Sequence, residues 1–321
     1  MPTERRTKAK RNLKPSSFDQ RQPTISIIGA GRLGTALALA LSRRGYTVEA
    51  IMSRRLAHAR RAAASIAAHT RALSATQLAS LPPSELLFIT TPDDQIAIAA
   101  ARLAASQEKS GARAQGRTAL HCSGALSSEV LSPLRAMGYR TGSMHPLISV
   151  SDPLQGAERL RGGFYAIEGM GAAVRVAREV VRDLEGESFS FNSRDKALYH
   201  AAAVMASGHM VALFDIAVEM LKICGLTEKR AQSVLLPLTK SMLANLSARD
   251  TVHALTGTFA RADAATMRRH LDALRAAGIE DALGVYRLLG QRSLQLAGKL
   301  GVDGAALKKI GRLLKDDEGD A

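Results

Sequence analysis

The sequence predicts an α/β chain in which a doubly wound Rossmann domain is followed by an all-helical C-terminal domain. Three observations carry this expectation. A β-type stretch, Thr24–Ile28, runs into Gly29-Ala30-Gly31-Arg32-Leu33-Gly34 and at once into an Ala/Leu-rich helix closed by Gly45. Apolar runs of strand length then alternate with helical stretches as far as residue 192. Beyond that point no β-type run recurs, and the remainder reads as helices separated by short polar breaks.

In order, the expected elements after that first unit are a strand at Thr47–Met52 and a helix at Arg54–His69. Glu85–Thr90 is a continuous apolar run suited to a parallel strand buried on both faces. Thr91-Pro92-Asp93-Asp94 turns the chain into a helix over Gln95–Ala104, with Asp93 or Asp94 as N-cap, and Ser106–Gly116 reads as a loop. Strands follow at Thr118–Cys122 and Tyr139–Met144, separated by a helix over Leu126–Met137. Residues 147–162 carry Pro153, Gly156 and Gly162 and read as irregular. Gly163–Glu168, Ala172–Glu185 and Glu187–Phe191 complete the domain as strand, helix and short strand. The second half is expected to open with one long helix, Arg194–Cys224. Thr227 then caps a helix to Leu246 that contains Pro237, Asp263 caps Asp263–Ala277, and two more helices cover Glu280–Leu300 and Gly304–Leu314. The domains therefore divide as a disordered basic tail over residues 1–22, a nucleotide-binding domain over 23–192 and a helical domain over 193–315. The acidic end, Asp316-Asp317-Glu318, is expected to fray.

A length of 321 residues accommodates two cores. The net charge of +15 is the unusual property, and part of it is local. Residues 1–21 hold seven basic side chains against Glu4 and Asp19, with no apolar periodicity. No aromatic or helical pattern accompanies that charge, so nucleic-acid binding through the tail is the weaker reading; it predicts a steep salt dependence. Cys122 and Cys224 stand far apart, which suggests neither a disulfide framework nor a cysteine metal site. No metal is expected. His209, Asp215, Glu219 and Lys222 interrupt the apolar run His200–Leu226, which argues for a helix buried in protein over a membrane span. With no signal-peptide core near the N-terminus, a reducing cytoplasm is the expected compartment.

In the strand–turn–helix setting each glycine serves a physical purpose. Gly29 makes the tight turn, Gly31 allows close approach of a pyrophosphate, and Gly34 lets the helix pack on the sheet. The turn residues Gly29, Gly31, Arg32, Leu33 and Gly34 are thus candidate dinucleotide-binding residues. The helix N-terminus adds unpaired N–H groups and a positive dipole end. Where NAD-binding units place a carboxylate after the second strand, this chain has Met52-Ser53-Arg54-Arg55, and Glu49 lies too early. Ser53 and Arg54 suit a 2′-phosphate, so NADP is expected over NAD. Thr90, Thr91 and Pro92 end another strand and are candidates near the cofactor ribose.

Ligands of open α/β sheets bind beyond the carboxyl ends of the strands. Ser123 and His145 end consecutive strands and can share one crevice, where a hydroxyl and an imidazole orient a substrate and move a proton. Alternatively Ser123 is a cap and His145 a hydrogen-bonded strand-end residue; His121 is assigned to the core. On the long helix Lys196, His200 and Ser207 fall on one face, with His209 opposite. They form a polar stripe that meets substrate, or a solvated first turn. Asn245 and Thr256–Arg261 are polar positions that suit the same cleft.

These residues resemble a known family, the Rossmann-like proteins carrying a DUF2520 domain, a branch of the 6-phosphogluconate-dehydrogenase-like superfamily. The resemblance runs from about Pro23 to Ala297 and is carried by GAGRLGTAL, Ser123–Gly138, Gly142–Leu147, Phe164–Gly169, Lys196–Leu213, Leu235–Leu238 and Leu255–Asp263. It implies an NADP-linked reductase fold whose helical domain forms a homodimer, and leaves the substrate open. The chain has Ser207-Gly208 where the family has Ser-Asn, and Thr258 and Ala262 where it tends to have Pro and Gly. A more distant similarity, to prephenate dehydrogenases, implies that His145 accepts a hydrogen bond from a substrate hydroxyl. Leu147-Ile148-Ser149 lacks the glycine usual there. The expected function is an NADP-dependent oxidoreductase acting on a small, anionic carbonyl, hydroxyl or imine compound through His145, Ser123, Lys196 and His200. A cofactor-binding sensor or scaffold without turnover is the alternative.

Overall fold

The structure is a computed structural model, and it describes residues 23–315. The basic tail and the acidic end singled out above lie outside the described residues. The chain divides into two compact units, one ending at Ser207 and the other beginning at Gly208. The first therefore extends past the division after residue 192 expected from sequence.

The first unit is built on one eight-stranded sheet of order β3-β2-β1-β4-β5-β6-β7-β8. Its strands are β1 (Thr24–Ile28), β2 (Thr47–Ser53), β3 (Arg71–Ser74), β4 (Leu86–Ile89), β5 (Thr118–His121), β6 (Arg140–Pro146), β7 (Phe164–Gly169) and β8 (Glu187–Phe189). Pairing is parallel except between β6 and β7, which run antiparallel with His145 opposite Ala166. Side chains alternate across the sheet, so Ile25, Ile27, Leu86 and Phe88 face one core and Ile28, Leu87 and Ile89 the other. On the first face pack α1 (Arg32–Ser42), α2 (Leu56–Ile66), α5 (Pro153–Leu160) and α6 (Gly171–Asp183); on the second, α3 (Asp93–Lys109) and α4 (Ser132–Ala136). Burial on both faces explains why these strands read as continuous apolar runs.

Several expectations change. Asp93 and Asp94 are not caps: Pro92 holds the N-cap position and both carboxylates lie in the first turn of α3, which runs on to Lys109, into the start of the expected loop. Residues 126–137 form a 3₁₀ turn and then the short α4, because Pro133 cannot sit inside a longer helix. The segment expected to be irregular contains α5, capped by the Asp152 carboxylate, which accepts from the N–H groups of Leu154 and Gln155. In β2, Val48 pairs with Ile25 and Ala50 with Ser26, so Glu49 is the extra residue of a β-bulge.

The expected single helix after residue 194 is two: α7 (Lys196–Ala206) closes the first unit and α8 (Gly208–Ile223) opens the second, with Ser207 in a non-helical conformation between them. The second unit continues with α9 (Glu228–Ala248), α10 (Gly257–Ala260), α11 (Ala264–Ala277), α12 (Glu280–Lys299) and α13 (Gly304–Leu313). The hydroxyl of Thr227 and the carboxylate of Asp263 cap α9 and α11 as the sequence predicts. Its core is small, centred on Met267, Leu271, Ile310 and Leu314. The expectation that residues 200–226 are buried is not met. Met205 is 65% exposed, Val211 71% and Ile223 59%, and apolar side chains of α9 such as Leu238 are exposed as well. Among the described residues, 193–223 is the one stretch whose length and composition would suffice to cross a membrane. It nevertheless contains Lys196, Asp215, Glu219 and Lys222, all of them charged residue types.

Candidate functional site

The carboxyl ends of β1, β2 and β4 open onto a cavity of about 600 Å³. Its floor is the turn after β1. Gly29 adopts φ +123°, and a Cβ there would stand 2.7 Å from the Thr90 backbone and hydroxyl. At Gly34 a Cβ would lie 1.9 Å from the Gly29 carbonyl, so α1 rests directly on the turn. Thr90 closes this packing by donating its hydroxyl to the Gly29 carbonyl at 2.8 Å. Gly31, by contrast, has no atom within 4 Å of its missing Cβ. The bare backbone faces open space there, and no side chain caps the first turn of α1. Thr91 adds a buried hydroxyl without a partner.

The far wall comes from β2 and α2: Met52, Ser53, Arg54, Arg55 and His58, faced by Arg102 from α3. Arg54 and Arg55 are exposed, and no ion pair engages them or Arg102 among the described residues. Glu49, the nearest carboxylate in sequence, is held elsewhere: it accepts a short hydrogen bond from Ser84, which is also 2.7 Å from the Ser26 hydroxyl. Of the sequence candidates, Gly29, Gly31, Ser53, Arg54, Thr90, Thr91 and Pro92 line the cavity. Leu33 packs against the core, Gly34 supports the turn, and Arg32 faces a separate hollow with Arg61 and Asp152. Arg55, His58 and Arg102 join the lining without having been expected there. Arg55 and His58 are legible as the next polar positions after Arg54, whereas Arg102 arrives from a distant helix.

The ends of β5 and β6 and the first turns of α7 form a second cluster. Lys196 is only 2% exposed. Its ammonium donates to the Ser123 carbonyl at 3.1 Å and the Ser143 hydroxyl at 2.5 Å, and lies 3.5 Å from the Glu168 carboxylate. Glu168 in turn accepts from the Ser128 N–H at 2.7 Å and its hydroxyl at 2.9 Å. Burial lowers the Lys196 pKa and the Glu168 charge opposes that shift. The three ammonium protons thus all have acceptors, and Lys196 is neither a solvated first-turn residue nor open to a substrate. It ties α7 to the sheet.

Ser123 is similarly engaged. Its hydroxyl donates to Asp93 at 2.9 Å and accepts from the N–H groups of Ala125 and Leu126 at 3.1 and 3.0 Å. One proton and two lone pairs are used, so the expectation that this hydroxyl handles substrate gives way to a capping role. His145 and His200 remain. Their rings lie 5.6 Å apart at 85°, and both abut Gly124. The point where a Gly124 Cβ would stand is 2.4 Å from His200 Nδ1 and 2.9 Å from His145 Nε2. His200 Nδ1 is buried without a partner. His145 Nδ1 is 2.7 Å from the Tyr199 hydroxyl. Burial, then the charges of His200 and Lys196, push the His145 pKa down to about 4; burial and Lys196 push the core His121 to about 3. Both are neutral imidazoles at pH 7. Ser207 is exposed and donates to the Ala203 carbonyl. His209, Asn245 and Thr256–Arg261 belong to the second unit, where residues 257–260 form α10.

The structure thus brings His145 and His200 together, uses Lys196 and Ser123 as supports, and adds Tyr199, Asp93, Ser143 and Glu168. No group of metal-binding side chains occurs among the described residues.

Residues 10–146 match the Rossmann-like domain family and residues 164–293 the domain of unknown function DUF2520. No curated protein matches the chain. Among solved structures, a protein from Thermotoga maritima is 23% identical, with a TM-score of 0.64 over 86% of this chain and 99% of its own. A provisionally named NADP oxidoreductase from Bacteroides fragilis is 22% identical, with a TM-score of 0.67 over 86% and 98%. An imine reductase from Myxococcus stipitatus, solved with NADP+, is 17% identical, with a TM-score of 0.61 over 90% and 99%. At these identities the likeness is one of fold. The two domain matches follow one another in the expected order, so the chain carries a Rossmann-like domain and, after it, a DUF2520 domain.

Proposed function

We propose that this protein is an NADP-dependent oxidoreductase acting on a small carbonyl, hydroxyl or imine compound. The observation that carries the reading is the cavity at the ends of β1, β2 and β4, where exposed backbone at Gly31 faces arginines that have no carboxylate partner among the described residues. The glycine cradle fits a pyrophosphate, and Ser53, Arg54, Arg55, His58 and Arg102 supply donors for a 2′-phosphate, while Glu49 is turned away to Ser84. NADPH, when bound, supplies a hydride to the substrate carbon. The protein's own share is positional and protic: Lys196 fixes α7, Ser123 caps the chain after β5, and His145 with His200 presents ring nitrogens at Gly124. The neighbours named for NADP support the cofactor, and the imine reductase supports a C=N or C=O substrate.

Isothermal calorimetry with NADPH and NADH tests the binding half; NADPH is expected to bind at least tenfold tighter, and no heat with either would overturn the reading. A panel of 2-keto acids, imines and aldehydes, followed by NADPH oxidation, tests turnover. His145→Ala is expected to lower it by roughly 10²–10⁴ with little change in NADPH affinity. The exposed apolar side chains Val211, Ile223, Leu238 and Leu243 support a homodimer formed through the helical half, which light scattering on the purified protein checks. Two free cysteines suit the cytoplasm as its location.

A further inference from the structure

We propose that Tyr199 is a positioning residue that holds His145 in the Nε2–H tautomer, so that His145 gives a proton and the site favours reduction of a C=O or C=N group. The inference rests on the oxidoreductase reading above and names the direction of its chemistry. Tyr199 lies one turn into α7, and its hydroxyl meets His145 Nδ1 at 2.7 Å. Its ring is held from three sides: Phe191 at 4.6 Å between centroids, Phe189 at 5.9 Å and the His145 ring at 5.6 Å, edge on. The hydroxyl has no other partner among the described residues. A phenol is a better donor than acceptor and a neutral imidazole nitrogen is a strong acceptor, so the bond is O–H···Nδ1. Burial raises the Tyr199 pKa to about 12, which keeps that proton on the phenol at neutral pH. With Nδ1 accepting, the single ring proton of neutral His145 sits on Nε2.

Nε2 is the nitrogen that faces Gly124, next to the unpartnered Nδ1 of His200. A heteroatom entering here meets a hydrogen-bond donor, which suits a carbonyl oxygen or imine nitrogen. As hydride reaches the carbon of a C=O group, its oxygen becomes an alkoxide and takes the proton from His145 Nε2. Water then returns a proton to Nε2 while Nδ1 goes on accepting from the Tyr199 hydroxyl, which restores the starting tautomer. An imine follows the same path with nitrogen as the acceptor. Oxidation of an alcohol would instead need a bare Nε2, the arrangement implied by the distant prephenate-dehydrogenase similarity. The lone phenol on Nδ1 disfavours it.

The test uses full-length protein labelled with ¹⁵N-histidine, with long-range ¹H–¹⁵N correlation spectra at pH 7 and His145→Gln to identify the His145 signals. A protonated Nε2 and bare Nδ1 are expected in the wild type. In Tyr199→Phe, which keeps the ring against Phe191, the single tautomer is expected to be lost. A protonated Nδ1 in the wild type would overturn the proposal, as would an unchanged tautomer in the variant. The wild-type spectrum decides even if the variant does not fold. Failure of NADPH to bind would remove the oxidoreductase reading and leave the tautomer result intact, so the two outcomes are separable.

Discussion

The turn after β1 and the cluster at the ends of β5 and β6 lie on the same sheet but are made of different material. The first is backbone: two glycines in van der Waals contact with Thr90 and with each other, and a third facing open space. The second consists of side chains, with Lys196, Ser143, Glu168 and Ser128 joined across separations of up to 53 residues and His145 held by Tyr199. A backbone site is specified by which residues lack a Cβ, and it tolerates change wherever the missing atom has room. A side-chain site is specified by mutual satisfaction of donors and charges, and removing one member leaves the others buried and unpaired.

The largest expected effect attacks the second region. Lys196→Met leaves Glu168 without its cation and two oxygens without their donor. A loss of about 3–5 kcal/mol is expected in denaturant unfolding, and a loss below ~1 kcal/mol would show that the ammonium is not a structural member. In the first region, Gly34→Ala forces a methyl into the Gly29 carbonyl and should cost about 1–3 kcal/mol together with NADPH binding. Gly31→Ala sharpens the contrast. With open space around it, the protein should keep its melting temperature while calorimetry records weaker NADPH binding. If both alanines behave alike, the distinction between packing glycine and approach glycine is wrong.

Acid separates the regions next. His145 and His121 have folded pKa values near 4 and 3, below their ordinary value of 6.5. The unfolded chain binds more protons at these positions, so stability is full above pH 6.5 and declines as pH falls toward 4. His145→Gln is expected to flatten part of that decline, whereas Arg54→Ser in the nucleotide region should leave the pH profile unaltered. The smallest effect lies outside both regions. Ala262 adopts φ +49°, a left-handed conformation, at the position where the resembled family tends to carry glycine. Ala262→Gly should raise stability by up to about 1 kcal/mol, and thermal melts would show a destabilisation instead if strain there is negligible.

The same division governs what could be read from sequence. The nucleotide turn, β4 and the caps Thr227 and Asp263 are local patterns, and they fall where expected. α5 escapes a sequence reading although Asp152-Pro153 is a capping signal, because Gly156 and the flanking glycines mask the helical period. Short β3 has too few residues to show alternation, and nothing local announces that β7 runs against β6. In the site, His145 and His200 are visible as histidines at a strand end and on a helix face. That Ser123 spends its hydroxyl on capping, that Lys196 is buried and that Tyr199 reaches His145 depend on partners 30 to 73 residues away, which no window of sequence contains.

The bulge at Glu49 has a consequence for anyone wishing to exchange one coenzyme for the other. Strand side chains point alternately to opposite faces, so deleting a single residue upstream of Met52 would invert what Ser53 presents at the rim. The discrimination therefore resides in a count of residues as much as in their identity. An aspartate grafted at 53 or 54 acts as intended only while that extra residue stays in β2.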